Sequence, residues 1–176
     1  CVMSLATQLG REGNVFVDGP GNVDHIHLNS PVLSQRKLRQ MLAMEQYEHA
    51  HALIHLHYAP EEGLKAALER ICSEAEAATR EGKVLLVLSD RYPVEGRLVV
   101  HALLATGAVH QHLVRAGLRC ESNLIIETGT ARDPHHFACL IGVGATAVYP
   151  YLAYQTLHDL GVRGILKTKH GQVAEI

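Results

Sequence analysis

The chain has 176 residues, of which 47% are hydrophobic and 19% charged, and its formal net charge is −2 with neutral histidines. This composition excludes an intrinsically disordered chain and predicts a globular domain that can bury a hydrophobic core. The near-neutral charge argues against nucleic acid as the main partner. No apolar run approaches the roughly 18 residues of a membrane span, and the first residues lack the pattern of a signal peptide. We therefore expect a cytoplasmic protein without a membrane partner.

The cysteines lie far apart and form no CxxC pair; they are Cys1, Cys72, Cys120 and Cys139. This usage is typical of a reducing compartment, and it gives no local signature of a zinc ribbon, an iron–sulfur cluster or a dithiol redox centre. Because Cys1 stands where a start methionine would be, we expect the chain to be cut from a larger polypeptide or processed. An N-terminal cysteine can be an amidotransferase nucleophile, but the residues that follow Cys1 do not suggest the oxyanion hole that such a site needs.

Short β-branched or aliphatic runs alternate with longer helical patterns along the chain. The runs predict strands at residues 25–28, 51–58, 83–88, 123–126 and 147–149. The helical patterns predict helices at residues 35–46, 60–81, 98–116, 134–141 and 151–160. Ser34 and Asp133 are expected to cap the first and fourth helices, and the third helix, apolar nearly all round, should be deeply buried.

These elements make five consecutive βα units, which predict an α/β fold with a mainly parallel sheet and right-handed crossovers. The units could form an open, doubly wound sheet or a partial, barrel-like sheet, and the residue pattern leaves both open. We expect a single domain over residues 1–176. Its parts would be an N-terminal lead-in at 1–21, a βα core at 22–160 and a C-terminal tail or linker at 161–176.

Polar residues follow three of the predicted strands, at the edge where parallel sheets carry their functional groups. Asp90 and Arg91 follow the third strand; they can orient a substrate or clamp a loop, or they can contact each other or cap a helix. Glu127 follows the fourth strand and can act as a general base or as a buried structural acceptor. Tyr149 and Tyr151 flank a proline after the fifth strand, a pattern typical of a rigid packed turn.

Histidine is unusually frequent, with 13 residues in the chain. His51, His55 and His57 would share one face of a regular strand, and the last two have the HxH spacing that can supply two imidazoles to zinc. Because no third ligand is close in sequence, we interpret these residues as solvated or hydrogen-bonded structural histidines. His135 and His136 fall in the first turn of a helix, where a neutral imidazole can donate a hydrogen bond toward a pocket at the strand ends.

Several segments are specific enough to carry a family resemblance. They are CVMSLAT at 1–7, NSPVL at 29–33, VLLVLSDR at 84–91, LLATGAVHQHLVRAGLRC at 103–120 and NLIIETGTARDPHHFACLIGVGATAVYPYLAYQTL at 123–157. From residue 1 to about residue 160, the chain resembles the central domain of the glutamate synthase large (alpha) chain. The wording ARDPHHFA and GATAVYPYLAY is similar to the bacterial, NADPH-dependent branch. The stretch at 49–57 is richer in histidine than the family pattern.

The resemblance implies a role. Enzymes of this family convert glutamine, 2-oxoglutarate and reducing equivalents into two molecules of glutamate. An N-terminal glutaminase domain releases ammonia, a later barrel domain carries FMN and an iron–sulfur cluster, and a small partner chain with FAD oxidises NADPH. The central domain lies between the two catalytic domains, has a βα topology like a reduced copy of the FMN barrel, and helps to wall the ammonia passage.

By the same resemblance, this segment carries no catalytic, cofactor-binding or metal-binding residue of its own. Cys1 would not be the glutaminase nucleophile, and none of the four cysteines would bind the cluster. We expect one rim of the sheet to support a neighbouring domain or the passage through these residues: Asp90, Arg91, Glu127, His135, His136 and Tyr149. The alternative is a stand-alone βα enzyme that uses the region of His55 and His57 with a metal, or Glu127 as its base.

Overall fold

The computed structural model describes residues 4–11 and 25–166, so Cys1 and most of the expected C-terminal tail lie outside the described residues. The described strands are β1 (Thr7–Leu9), β2 (Ile26–Leu28), β3 (His51–His55), β4 (His57–Tyr58), β5 (Leu85–Ser89), β6 (Leu98–Val99), β7 (Asn123–Glu127) and β8 (Ala147–Tyr149). The helices are α1 (Gln35–Leu42), α2 (Glu45–Glu48), α3 (Gly63–Arg80), α4 (Ala102–Arg115), α5 (Pro134–Gly142) and α6 (Tyr151–Val162). Among these helices, none is long and apolar enough to cross a membrane.

A parallel sheet of four strands, in the order β3-β5-β7-β8, forms the centre of the described fold. Strands that follow one another in the chain are neighbours, and α3, α4 and α5 connect them, as repeated βα units require. The segment before α1 joins the far edge, where Val32 bridges Val148 in parallel and Leu33 N donates to Val148 O at 2.8 Å. The predicted α/β class with a mainly parallel sheet is confirmed, and the order fits an open or partial barrel.

Both faces of the sheet are covered, which explains why its central strands are apolar throughout. On one face, Leu86 and Ile126 pack with residues of α3, α4 and α5 in the larger core. Alternate residues point the other way, so Val87 and Ile125 pack with residues of α1, β1 and β2 in a second core. Each fully buried aliphatic side chain of this size contributes about 1.5–3 kcal/mol, and the two cores together hold the strand ends in place.

Two helix starts follow from short-range chemistry. Ser34 Oγ accepts from Lys37 N at 3.3 Å at the start of α1, and Asp133 Oδ1 accepts from His136 N at 3.0 Å at the start of α5. Each side chain satisfies a backbone donor that the first helical turn leaves unpaired. Both predicted N-caps are confirmed.

Some predicted elements differ in the structure. The run at 25–28 forms β2, but β2 pairs antiparallel with β1, which lies in the expected lead-in. The run at 51–58 divides at Leu56, because β4 leaves the sheet to pair antiparallel with β6. The residues of β6 were predicted as helix; the helix begins instead at Ala102, with His101 as its N-cap. The predicted helix at 35–46 ends at Leu42, and the short α2 follows it.

Helix α4 is less buried than its sequence suggests. Ala105, Val109 and Leu113 lie fully inside the larger core, whereas Leu104 and Val114 are exposed. The expectation of a deeply buried helix was wrong, because α4 lies on one face of a single sheet layer and only one side of it meets the core.

Candidate functional site

The carboxyl ends of β5, β7 and β8 meet at one edge of the sheet. Ser89 and Glu127 face each other in the register of β5 and β7, so the chains that follow them leave the sheet side by side. Asp90 N donates to Glu127 O at 3.1 Å, and Thr128 N donates to Tyr149 O at 3.0 Å. These bonds continue the strand pairing into the loops, and they bring together all three polar sets that follow the predicted strands.

The Glu127 carboxylate is buried, and both of its oxygens are engaged. Oε1 accepts from Arg91 Nη1 at 3.1 Å, and Oε2 accepts from Ser89 Oγ at 2.5 Å. The side chains of Arg91 and Glu127 are only 17% and 10% exposed, so solvent screens their ion pair weakly. A carboxylate held in this way is a structural acceptor, and the arrangement does not favour Glu127 as a general base.

Asp90 holds the loop that follows β7. Its Oδ2 accepts from Thr128 Oγ1, and its Oδ1 accepts from Gly129 N at 2.9 Å. The Thr128 hydroxyl lies 2.9 Å from the Thr130 hydroxyl and so extends the contact along the loop. Asp90 and Arg91 therefore bond to different partners, and of the roles left open by the sequence, the structure supports the loop clamp.

Three tyrosine rings surround the Arg91 guanidinium. Its Cζ lies 5.0 Å from the ring centre of Tyr92, 5.4 Å from that of Tyr151 and 5.7 Å from that of Tyr149. Cation–π attraction acts at these distances. Tyr92 has a φ of 63°, a backbone conformation that is strained for a residue with a bulky side chain. Such strain is typical of functional loops, because the surrounding contacts must maintain it.

Tyr149 and Tyr151 have pKa values above the ordinary tyrosine value. Burial and the nearby Asp90 carboxylate raise the pKa of Tyr151 to about 12. Burial also raises the pKa of Tyr149, although the Arg91 charge opposes that shift. Tyr149 stacks on Tyr154 with ring centres 6.3 Å apart. The turn after β8 is therefore packed, as its sequence suggests.

His135 and His136 lie beside the charged group, in a separate pocket of about 240 Å³ that Thr130 and Cys139 help to line. His135 Nε2 is 3.6 Å from Cys139 Sγ, and His136 Nδ1 accepts from Arg132 N at 3.2 Å. Both histidines open the helix that follows β7, so they belong to the same edge of the sheet. They form a second group next to the charged one, with Thr130 between the two.

The histidines near β3 do not form a common site. His51 Nδ1 donates to the Tyr47 carbonyl at 2.8 Å, and the break after β3 places His57 in another sheet, with its ring 6.3 Å from that of His55. In the described residues, no group of three or more histidine, cysteine, aspartate or glutamate side chains is placed to hold a metal ion. His57 is buried, and its Nε2 has no hydrogen-bond partner among the residues that the structure describes.

The residue patterns of the sequence did not predict that α1 forms one wall of the site. Gln35 and Arg39 of α1 line a groove together with Arg91, Tyr92 and Tyr149. The contribution of α1 depends on how the chain before it reaches the far edge of the sheet, and no local pattern encodes that path. Tyr92 carried a weak signal, because a residue that precedes a proline has a restricted backbone.

The fold and this edge together define a class of protein. The described residues form an α/β scaffold whose strand ends are fixed by a shielded ion pair, a loop clamp and packed tyrosines. The carboxylates of the rim bond to Arg91, to neighbouring hydroxyl groups and to the backbone, so the class is that of an α/β domain whose own side chains fix one edge of its sheet.

Comparison with known proteins identifies the family. The sequence model of the glutamate synthase central domain matches residues 1–175. The chain is 41% identical over 159 residues to ferredoxin-dependent glutamate synthase 2, chloroplastic, of Arabidopsis thaliana, and 40% identical over 155 residues to the glutamate synthase (NADPH) large chain of Bacillus subtilis. Both matches cover 88% of this chain and 10% of the relative. The chain therefore belongs to the glutamate synthase central domain family.

A third relative agrees with this assignment. The chain is 39% identical over 169 residues to the glutamate synthase (NADPH) large chain of Azospirillum brasilense, a match that covers 93% of the chain and 11% of the relative. The resemblance seen in the sequence is confirmed, and the relatives include bacterial NADPH-type large chains. The chain spans about a tenth of the length of the curated relatives it matches.

Proposed function

We propose that this chain is a non-catalytic connecting domain of a glutamate synthase. It links a glutaminase domain to an FMN-bearing synthase domain and forms part of the wall of the ammonia passage between them. The parent enzyme makes two molecules of L-glutamate from L-glutamine and 2-oxoglutarate, with NADPH as reductant. The family assignment supports this proposal, as do relatives of which the chain covers only about a tenth.

The observation that carries the connecting role is the uncovered surface of α6. None of its 12 residues is fully buried against the described part of the chain, although most of them are apolar; Tyr151 and Tyr154 pack partly against the second core. Leu152, Leu157 and Val162 are exposed, and Ile165 and Leu166 extend the apolar surface beyond the helix. Exposed apolar side chains that recur along a helix and just beyond it are typical of a surface that packs on another protein surface. We infer that the flanking domains of the same polypeptide cover it.

The strand-end edge suits the wall of a passage for ammonia. Such a wall has to keep ammonia away from bulk water and from proton donors. The charges of Arg91 and Glu127 are paired with each other at 3.1 Å, and the high pKa of Tyr151 keeps its phenol neutral at physiological pH. The edge therefore offers fixed, paired groups on an apolar scaffold.

Cofactors and partners follow from the same proposal. FMN and the iron–sulfur cluster belong to the synthase domain, and FAD and NADPH bind to a small NADPH-oxidising partner chain. Residues 1–176 make up one domain that binds none of these cofactors. Its partners are the glutaminase and FMN domains of its own polypeptide and, in the holoenzyme, the small chain, and the enzyme works in the cytoplasm.

The substitution Arg91→Ala in the full glutamate synthase polypeptide tests this function. We expect it to uncouple the two half-reactions, so that the ratio of ammonia released to glutamate formed rises above the wild-type value. The matched control is Arg80→Ala, which removes an exposed arginine from an i,i+4 pair on α3 and should leave the ratio unchanged. A wild-type ratio in Arg91→Ala would refute the role in the passage.

A further inference from the structure

A groove of about 190 Å³ lies between α1 and the face of the sheet that carries the second core, next to the strand-end edge. Arg39 of α1 and Arg91 of the sheet edge both line it. Drug-sized ligands occupy cavities of roughly 300–1,000 Å³. The groove is therefore of a size for a small metabolite.

The two arginines keep donors for a ligand. In the Arg91 side chain, Nη1 donates to Glu127, whereas Nε and Nη2 have no hydrogen-bond acceptor among the described residues. The Gln35 amide, with its oxygen turned toward Arg39, accepts from Nη2 at 2.6 Å and from Nε at 3.3 Å. Arg39 has no carboxylate partner among the described residues and remains a net positive charge.

The charge of the groove is positive. Glu127 is the one acidic residue among its lining residues, and both of its carboxylate oxygens are already engaged. The charge of Arg91 balances that of the Glu127 carboxylate, and the Arg39 guanidinium then leaves the groove with an excess of about one positive charge. A guanidinium recognises a carboxylate through charge-assisted, often bidentate hydrogen bonds.

Aliphatic side chains also line the groove. Val87 and Leu38 form part of it from the buried side, and Leu53 of β3 lines it while remaining 51% exposed. An exposed leucine in a groove that two arginines also line gives a surface for the methylene groups of a ligand.

We propose that this groove binds a small aliphatic dicarboxylate, with one carboxylate at Arg91, the other at Arg39 and the methylene groups over Val87 and Leu53. This site goes beyond the proposed connecting function and does not depend on it. It would let a free metabolite stiffen α1 against the strand-end edge.

Amide hydrogen exchange of the full polypeptide, followed by mass spectrometry, tests the site locally. The probe is glutarate, which has neither a keto nor an amino group for the reactions of the parent enzyme. We expect glutarate to protect peptides that span residues 35–42 and 85–99, and pentanoate, a monocarboxylate of the same carbon number, to protect them far less. Sodium chloride at the same ionic strength should give no protection.

Two variants of the same helix complete the test. Arg39→Gln lies outside the Arg91–Glu127 ion pair and should leave the fold intact, yet it should raise the Kd for glutarate at least about tenfold, as expected for a lost charge-assisted hydrogen bond. Arg36→Gln removes the same charge from the same helix, at an exposed position that does not line the groove, and should bind glutarate like the wild type.

The outcomes separate this site from the connecting function. Wild-type peptides without glutarate-dependent protection, protection that survives in Arg39→Gln, or equal protection by chloride would each overturn the dicarboxylate site. The ratio of ammonia to glutamate that tests the connecting function is measured without glutarate, so either proposal can fail while the other stands.

Discussion

Arg91 and Glu127 join the ends of β5 and β7, with Nη1 of the arginine 3.1 Å from Oε1 of the glutamate. The Ser89 hydroxyl holds the second carboxylate oxygen at 2.5 Å, so the glutamate is fixed at two points. A shielded ion pair adds little net stability compared with apolar packing, but a partner left alone is costly. The pair therefore sets the positions of the loops that follow both strands more than it strengthens the fold.

Glu127→Ala should lower the free energy of unfolding by about 3–5 kcal/mol, because it leaves a shielded arginine without its carboxylate. Glu127→Gln should cost less, since its amide oxygen still accepts a hydrogen bond. Urea titration of the chain measures both values. The control Glu74→Ala breaks an exposed i,i+4 pair with Arg70 and should cost no more than about 1 kcal/mol. Equal losses for Glu127→Ala and Glu74→Ala would contradict the structural role of the pair.

Gly144 is a second point at which a small change should destabilise the fold. Its φ is +114°, and an added Cβ would lie 2.3 Å from His110 Nδ1. His110 is held there because Arg119 Nε donates to that same nitrogen at 3.0 Å. We expect Gly144→Ala to cost at least about 2 kcal/mol, from backbone strain and the clash together.

The matched control for this position is Gly142→Ala, two residues earlier. Gly142 ends α5, and a Cβ there meets nothing within 4 Å. Since alanine is the better helix former, this variant should be neutral or up to about 1 kcal/mol more stable. Thermal unfolding compares the two variants, and similar Tm values for both would show that the contact with His110 has no structural importance.

The raised pKa of Tyr151 predicts that the folded chain loses stability at alkaline pH. Burial and Asp90 raise the pKa of Tyr151 to about 12 in the folded chain, above an ordinary value of about 10. The unfolded chain therefore loses this proton first, so the contribution of Tyr151 is complete below about pH 10 and falls as the pH rises toward 12. Tyr151→Phe should give a flatter decline of unfolding free energy over this range.

Part of the loss of stability at alkaline pH should remain in the Tyr151→Phe variant. Burial also raises the pKa of Tyr149 and of Tyr154, and both keep their phenols in the variant. Urea titrations at intervals between pH 8 and pH 11 measure the slope for each chain. Superimposable slopes for the wild type and Tyr151→Phe would mean that Tyr151 does not titrate as its surroundings require.

The parallel sheet could be predicted from the sequence because local and long-range signals agree there. The strands β5, β7 and β8 are short apolar runs between helical patterns, and β8 has the predicted bounds. Since carboxyl ends of parallel strands share an edge, residues directly after those runs had to lie close together. This rule gathered Arg91, Glu127 and Tyr149 without any knowledge of their contacts.

The sequence alone could not predict which side chains pair with one another at this edge. Arg91 has a carboxylate next to it in the chain at Asp90, yet it pairs with Glu127, 36 residues away. The strand register decides this, because it places Ser89 opposite Glu127. Similarly, the division of the 51–58 run depends on β6, a strand of two residues that apolar periodicity assigns to the following helix.

The lowered pKa of His57 predicts how the stability of the fold changes at acidic pH. Burial lowers its pKa below the ordinary value, and the neighbouring imidazole of His55 and the charge of Arg97 add to this, against the opposing Asp90 carboxylate. The unfolded chain binds the proton more readily, so stability from the neutral ring is present above about pH 6.5 and is lost as the pH falls through the folded pKa.

His57→Leu should weaken this acid dependence. At pH 7 it should be at least as stable as the wild type, because the swap removes a buried Nε2 without a described partner, worth about 1–3 kcal/mol. The lowered pKa of His110 leaves a residual slope in the variant. Urea titrations at pH 7, 6 and 5 measure the difference, and an acid slope as steep in His57→Leu as in the wild type would rule out His57 as its source.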